Sequence, residues 1–140
     1  MPSYMAKKLT KALRGKRRWI GVVVSPEMTT RSQLQTAVNN LQQLLGSKKE
    51  IKLMDFFSGG SEGAELAHAN LKETLPKVSL NGDEGLAIIQ VPHEVSSGFR
   101  TLIETEQGYA EYSMLSVSMS GKIRLIRERL NLPNPNRERR

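Results

Sequence analysis

The residues best suited to proton transfer near neutral pH are His68 and His93, the two histidines of the chain. Neither stands in a metal-ligand spacing such as H-x-x-x-H, and both read as surface or helix-end residues. The carboxylates are scattered, with no acidic pair placed as a general acid and base. Two-metal phosphodiester cleavage needs clustered Asp and Glu, and no such cluster is legible. Ser120-Gly121-Lys122 looks like the end of a phosphate-binding loop. The motif's upstream glycine is missing, because position 116 is serine, and isoleucine occupies 123 where a hydroxyl residue is required. The expectation is a chain with no catalytic residue, no metal ligand and no cofactor of its own.

The basic residues carry a stronger signal. Residues 1–20 hold Lys7, Lys8, Lys11, Arg14, Lys16, Arg17 and Arg18 without one acid, a charge of +7. Residues 122–140 carry +5 and the body between carries −5. Basic ends on an acidic body suggest contacts to a polyanion, against the plainer reading of solubilising tails. Only seven aromatics are present, so contacts to bases by stacking are poorly supplied. Phosphate-dominated, shape-based RNA contacts are expected instead, from Lys16, Arg17, Arg18, Lys122, Arg124 and Arg127. Trp19 is either a stacking residue or one that packs against a helix or a partner subunit. Trp19, Phe56 and Phe57 are the candidates for a partner interface. The two phenylalanines are adjacent on a strand, so they point to opposite faces and do not share one core.

A chain of 140 residues with 38% hydrophobic residues supports one modest domain. The lack of cysteine excludes disulfide scaffolds and thiolate metal sites. No apolar run approaches the ~20 residues that span a bilayer, and no hydrophobic stretch follows the N-terminal lysines. A cytoplasmic setting is the expectation.

The elements that must position the cations follow from periodicity. Residues 1–16 read as a basic arm. Strands are expected at 17–24, 50–57, 85–91 and 110–119. Thr30 and Gln33 form a capping box that opens a helix, Leu34, Ala37, Val38, Leu41, Leu44 and Leu45 repeat at helical spacing, and Gly46 ends it. Residues 58–83 read as an inserted loop with a short helix. Pro92 opens a second major helix, with Val95, Phe99, Leu102 and Ile103 buried and Gly108 as its end. In the fourth strand Leu115, Val117 and Met119 alternate with serines. A last helix at 122–131 turns Ile123, Ile126 and Leu130 inward and Arg124, Arg127 and Arg129 outward. Residues 133–140 read as a basic disordered tail.

The order β-α-β-insertion-β-α-β-α predicts one α+β domain over 17–132, a ferredoxin-like or RRM-like sandwich with a four-stranded antiparallel sheet and an extra C-terminal helix. In that topology strand four lies beside strand one. Lys16, Arg17 and Arg18 are then expected to join Lys122, Arg124 and Arg127 in one corner patch, with Lys122 near the start of the last helix.

Leu13-Arg14-Gly15-Lys16-Arg17-Arg18-Trp19-Ile20 and Ser118-Met119-Ser120-Gly121-Lys122-Ile123 resemble the opening and closing segments of archaeal ribonuclease P protein component 2. This is the small-subunit family shared by ribonuclease P and MRP. Residue 19 is Trp where the family usually has Tyr, residue 122 is Lys where Thr is frequent, and 58–83 is longer than the usual turn. The resemblance implies a protein subunit that binds the catalytic RNA and supports removal of the 5′ leader from precursor tRNA. It also implies that Mg2+ and the chemistry belong to the RNA. The partners would be ribonuclease P RNA and a TIM-barrel protein subunit, with self-association into a heterotetramer. The alternatives are a generic ferredoxin-like RNA-binding or ribosome-associated protein, and a small-molecule regulatory domain. A small hydrolase of acylphosphatase type is disfavoured, because strand one ends in Ser25-Pro26-Glu27 rather than in an anion-cradling loop.

Overall fold

The structure, a computed structural model, describes residues 17–74 and 82–132, with side chains described except for 69–74. The N-terminal arm, Lys16 and the C-terminal tail lie outside the described residues. The elements are β1 (Arg17–Val24), α1 (Arg31–Leu45), β2 (Lys52–Phe57), α2 (Glu62–Thr74), β3 (Gly85–Pro92), α3 (His93–Leu102), α4 (Glu106–Tyr112), β4 (Met114–Ser120) and α5 (Ile123–Arg129).

The four strands form one antiparallel sheet in the order β2-β3-β1-β4, the order of a ferredoxin-like sandwich. Every residue of β3 is buried, because the strand is central and both sheet faces are covered. On the first face Ile20, Val22 and Val24 meet Leu34, Val38 and Leu41 of α1 and Phe99 of α3. On the second face Val23, Leu86, Ile88 and Leu115 meet Ala64 and Ala67 of α2 and Ile126 and Leu130 of α5.

Local chemistry sets the boundaries of α1. Thr30 Oγ1 accepts from the Gln33 amide at 3.2 Å, and Gln33 Oε1 accepts from the Thr30 amide at 3.2 Å. Gly46 ends the helix at φ +65°, a left-handed conformation that glycine adopts without strain.

The helix expected within 58–83 is present, and three other expectations are corrected. The segment 58–83 contains a helix of 13 residues, α2, whose small Ala64 and Ala67 bring it close to the sheet. The strand expected from 110 begins at Met114, because residues 106–112 form α4. Thr105 caps this helix by accepting from the Gly108 amide at 3.0 Å, so Gly108 sits inside a helix rather than ending one. A Cβ on Gly108 would lie 2.0 Å from the Leu102 carbonyl oxygen, which is why α4 folds back on α3 only with glycine there. The simple alternation in β4 is also broken. The β1–β4 register shifts between Gly21 and Val22, leaving Val117 as an extra residue. Leu115 and Val117 therefore pack on the second core, while Met119 packs on the first.

A second register shift lies in β2, between Leu53 and Asp55. It turns Asp55 to the second face. Phe56 then packs on the first core and Phe57 on the second.

Candidate nucleic-acid interface

The register brings four strand ends together. Arg17 pairs with Pro92 and Trp19 with Gln90, so the start of β1 lies beside the end of β3. Lys52 also pairs with Gln90, which adds the start of β2. Trp19 pairs with Ser120, which adds the end of β4. This end of the sheet therefore carries Arg17, Arg18, Lys49, Lys52 and Lys122 against Glu50 and Glu94.

The opposite end is acidic. Glu27 follows β1, and Asp83 and Glu84 precede β3. Their field is felt at Tyr109 of α4. Burial first, then the charges of Glu84, Asp83 and Glu27, push its phenol up to about 12, against a hydrogen bond with Ser25 that lowers it. The two ends of the sheet thus differ in charge, with Arg17, Arg18, Lys49, Lys52 and Lys122 at one and Glu27, Asp83 and Glu84 at the other.

The candidate cations do not form one uniform patch. Arg17 and Arg18 are successive residues of a strand and leave opposite faces of the sheet. Arg18 turns toward the β4 end, where a Cβ on Gly121 would lie 3.2 Å from its Nη1. Lys122 is the N-cap residue of α5 and exposed, with its amide donating to Ser120 Oγ at 3.2 Å. The β1–β4 corner therefore unites Arg18 with the Gly121-Lys122 segment. Arg124 is exposed and faces Glu128 at 3.9 Å. Arg17 lines a separate cleft with Lys49 and Lys52.

Arg127 departs from its expected outward orientation. Its Nε donates to Asp55 Oδ2 at 2.9 Å, and the side chains are only 15% and 12% exposed. Residues 123, 126, 127 and 130 follow i, i+3, i+4, i+7 spacing, so Arg127 belongs to the inward stripe with Ile123, Ile126 and Leu130. It fastens α5 across the second face to β2. Arg129 acts at the other edge, donating from Nη1 to Ser118 Oγ and the Met119 carbonyl, both at 3.1 Å. Arg31 of α1 donates to the carbonyls of Leu53 and Met54 at the β2 register shift. Both edge strands thus have carbonyls occupied by arginines, which disfavours further strand addition there.

The aromatics expected at a partner surface are all half-buried, Phe56 against the first core and Trp19 and Phe57 against the second. The indole Nε1 of Trp19 is buried with no hydrogen-bond partner among the described residues. A base-stacking platform on the open face of the sheet is not available, since α2 and α5 cover that face.

The histidines differ. His93 opens α3 and is exposed, as expected. His68 is 7% exposed, and its Nε2–H donates to the Glu84 carbonyl at 2.8 Å, a correction to its surface assignment. It pins α2 to the start of β3, an interaction between residues 16 apart that periodicity alone does not reveal. Among the described residues no three His, Cys, Asp or Glu side chains are grouped to hold a metal ion. No helix of the described residues is long and apolar enough to cross a membrane.

Lys49 and Lys52 were absent from the expected cation set. The available signal was the Lys48-Lys49 pair directly before β2, at the end of the sheet where β1 begins. Comparison with family models, curated proteins and solved structures gives no match for this chain.

Proposed function

We propose that this protein is an RNA-binding subunit of ribonuclease P, acting in 5′-leader removal from precursor tRNA by holding the catalytic RNA. One observation carries the RNA-binding part of this reading: Arg17, Arg18, Lys49, Lys52 and Lys122 gather at one end of the sheet and the acids Glu27, Asp83 and Glu84 lie at the other. Such a dipolar domain approaches a polyanion in one orientation, cationic end first. The covered sheet favours backbone contacts over base stacking.

The assignment to ribonuclease P rests on the resemblance of residues 13–20 and 118–123 to the opening and closing segments of the small-subunit family. The described part of the first segment, 17–20, adjoins the second through the pairing of Trp19 with Ser120. In this role the chain supplies no reacting group. The RNA, with Mg2+, performs the cleavage, and a TIM-barrel protein is the companion subunit.

The test is recovery of the tagged full-length protein from its native cells, followed by sequencing of the bound RNA and identification of the bound proteins. Ribonuclease P RNA and a TIM-barrel protein are the expected partners. Enrichment of ribosomal RNA in their place would overturn the assignment in favour of a ribosome-associated protein. The purified protein, offered precursor tRNA without the RNA subunit, is expected to leave it uncut.

A further inference from the structure

A cleft of about 310 Å³ opens between the start of β1, the start of β2 and the end of β3. Arg17, Lys49 and Lys52 line it as cations, Glu50 is the acid in its lining, and Gln90 and Pro92 complete it. Lys49 is partly engaged by Glu94 of α3 at 3.2 Å. The volume is at the lower end of the range for small-ligand clefts, roughly 300–1,000 Å³.

Gln90 gives the cleft its uncharged polar side chain. The strand Gly85–Pro92 is otherwise apolar, and Gln90 is 8% exposed at a position flanked by Trp19 on one side and Lys52 on the other. Its carboxamide is not among the buried, unpartnered polar groups of the described residues, so it keeps contact with water at the cleft wall. Among the described residues no hydrogen bond to its side chain is formed, and it lines the cleft. Its amide hydrogens and carbonyl oxygen are therefore available to a ligand inside a ring of cations.

We propose that this cleft is a binding site for a sugar phosphate, separate from the β1–β4 corner. Arg17 and Lys52 hold the phosphate, Lys49 adds a third positive charge, and Gln90 hydrogen-bonds a phosphate oxygen or a ribose hydroxyl. Among the described residues no aromatic lines the cleft, so base stacking is not supplied by them there. The same chemistry is presented by the phosphorylated end of an RNA and by a free nucleotide. The site does not depend on the ribonuclease P assignment, because it is a property of the folded chain alone.

The experiment is an NMR titration of the 15N-labelled full chain, following the Gln90 side-chain amide and the Lys52 backbone amide. The probes are inorganic phosphate, adenosine 5′-monophosphate, adenosine, and a short RNA with either a 5′-phosphate or a 5′-hydroxyl. Saturable shifts of the Gln90 amide are expected with the phosphorylated probes and not with adenosine. Lys52→Met is expected to weaken binding at least about threefold, in line with an exposed charge pair, with an unchanged melting temperature. Tighter binding of the 5′-phosphorylated RNA than of the mononucleotide assigns the site to an RNA end, and equal binding assigns it to a free nucleotide. Unmoved Gln90 signals, equal shifts with adenosine, or an affinity indifferent to Lys52→Met would each overturn the proposal.

Discussion

Arg127 and Asp55 meet at 2.9 Å between the last helix and the edge strand β2, 72 residues apart in the chain and almost out of water. Removing one partner of such a pair strands the other in a poorly hydrated site. Arg127→Ala is therefore expected to cost about 3 kcal/mol, and Asp55→Ala a similar amount, with the double variant costing much less than their sum. Urea unfolding of the four proteins measures the coupling. Additive losses would mean that the pair does not hold α5 to β2. Because Arg127 is already engaged, its replacement should change stability far more than RNA affinity in the folded protein.

Gly21 and Leu130 define a second constraint on α5. A Cβ at position 21 would stand 2.7 Å from Leu130 Cδ1 and 2.9 Å from Ile126 Cγ2, so the helix rests directly on the strand at this point. Overfilling a packed site of this kind costs typically 1–3 kcal/mol. Gly21→Ala is expected at the lower part of that range, since the Leu130 end can shift. Combining it with Leu130→Ala should recover part of the loss, which thermal melting of the single and double variants would reveal. An unchanged melting temperature in Gly21→Ala would contradict this packing.

Tyr109 gives a pH prediction. Its phenol is raised from 10.0 to about 12 by burial and by Glu84, Asp83 and Glu27. The neutral form is thus favoured in the folded state, and the unfolded chain ionises first. Its contribution to stability is complete below pH 10 and is lost as the pH rises from 10 through 12. Absorbance titration of the phenolates should show a high-pH step that disappears in Tyr109→Phe, and the variant's stability should fall less steeply over that interval. A step at the ordinary tyrosine pH would refute the acidic environment.

The sequence made the β1 stripe, the capped α1 and the strand order legible because periods of 2 and 3.6 persist through those segments. It misled where one residue breaks a period. Val117 is an extra residue in β4, so Met119 changes face, and the irregularity in β2 turns Asp55 toward α5. The strand expected from 110 starts later, because the Thr105 cap settles residues 106–112 as a helix. The corner of Arg18 and Lys122 follows from topology alone. The contribution of Lys49 and Lys52 does not, because the cleft exists only after β2 is set beside β3. Arg127 was within reach, as its spacing from Ile123 already placed it on the buried stripe.

The corner itself yields the last prediction. Trp19 pairs with Ser120, and Arg18 reaches toward Gly121, so Arg18 and Lys122 belong to one site although 104 residues separate them. Like charges so placed repel modestly in solvent, and a bound phosphate relieves that repulsion. Each residue that neutralises a phosphate steepens the salt dependence of RNA affinity by roughly 0.7–0.9 log unit per tenfold salt. Arg18→Ala and Lys122→Ala are each expected to flatten the slope by about that amount. Contacts to a shared phosphate couple, so the double variant should depart from additivity by at least ~0.5 kcal/mol, whereas independent arms add within a few tenths. Arg18→Ala with Arg124→Ala, whose guanidinium faces Glu128 on the open side of α5, serves as the comparison pair and should be closer to additive. Filter binding to structured RNA across a salt series, with unfolding midpoints recorded for every variant, separates these outcomes. Additivity between Arg18 and Lys122 at unchanged stability would leave two separate arms at the corner, and the single site would have to be given up.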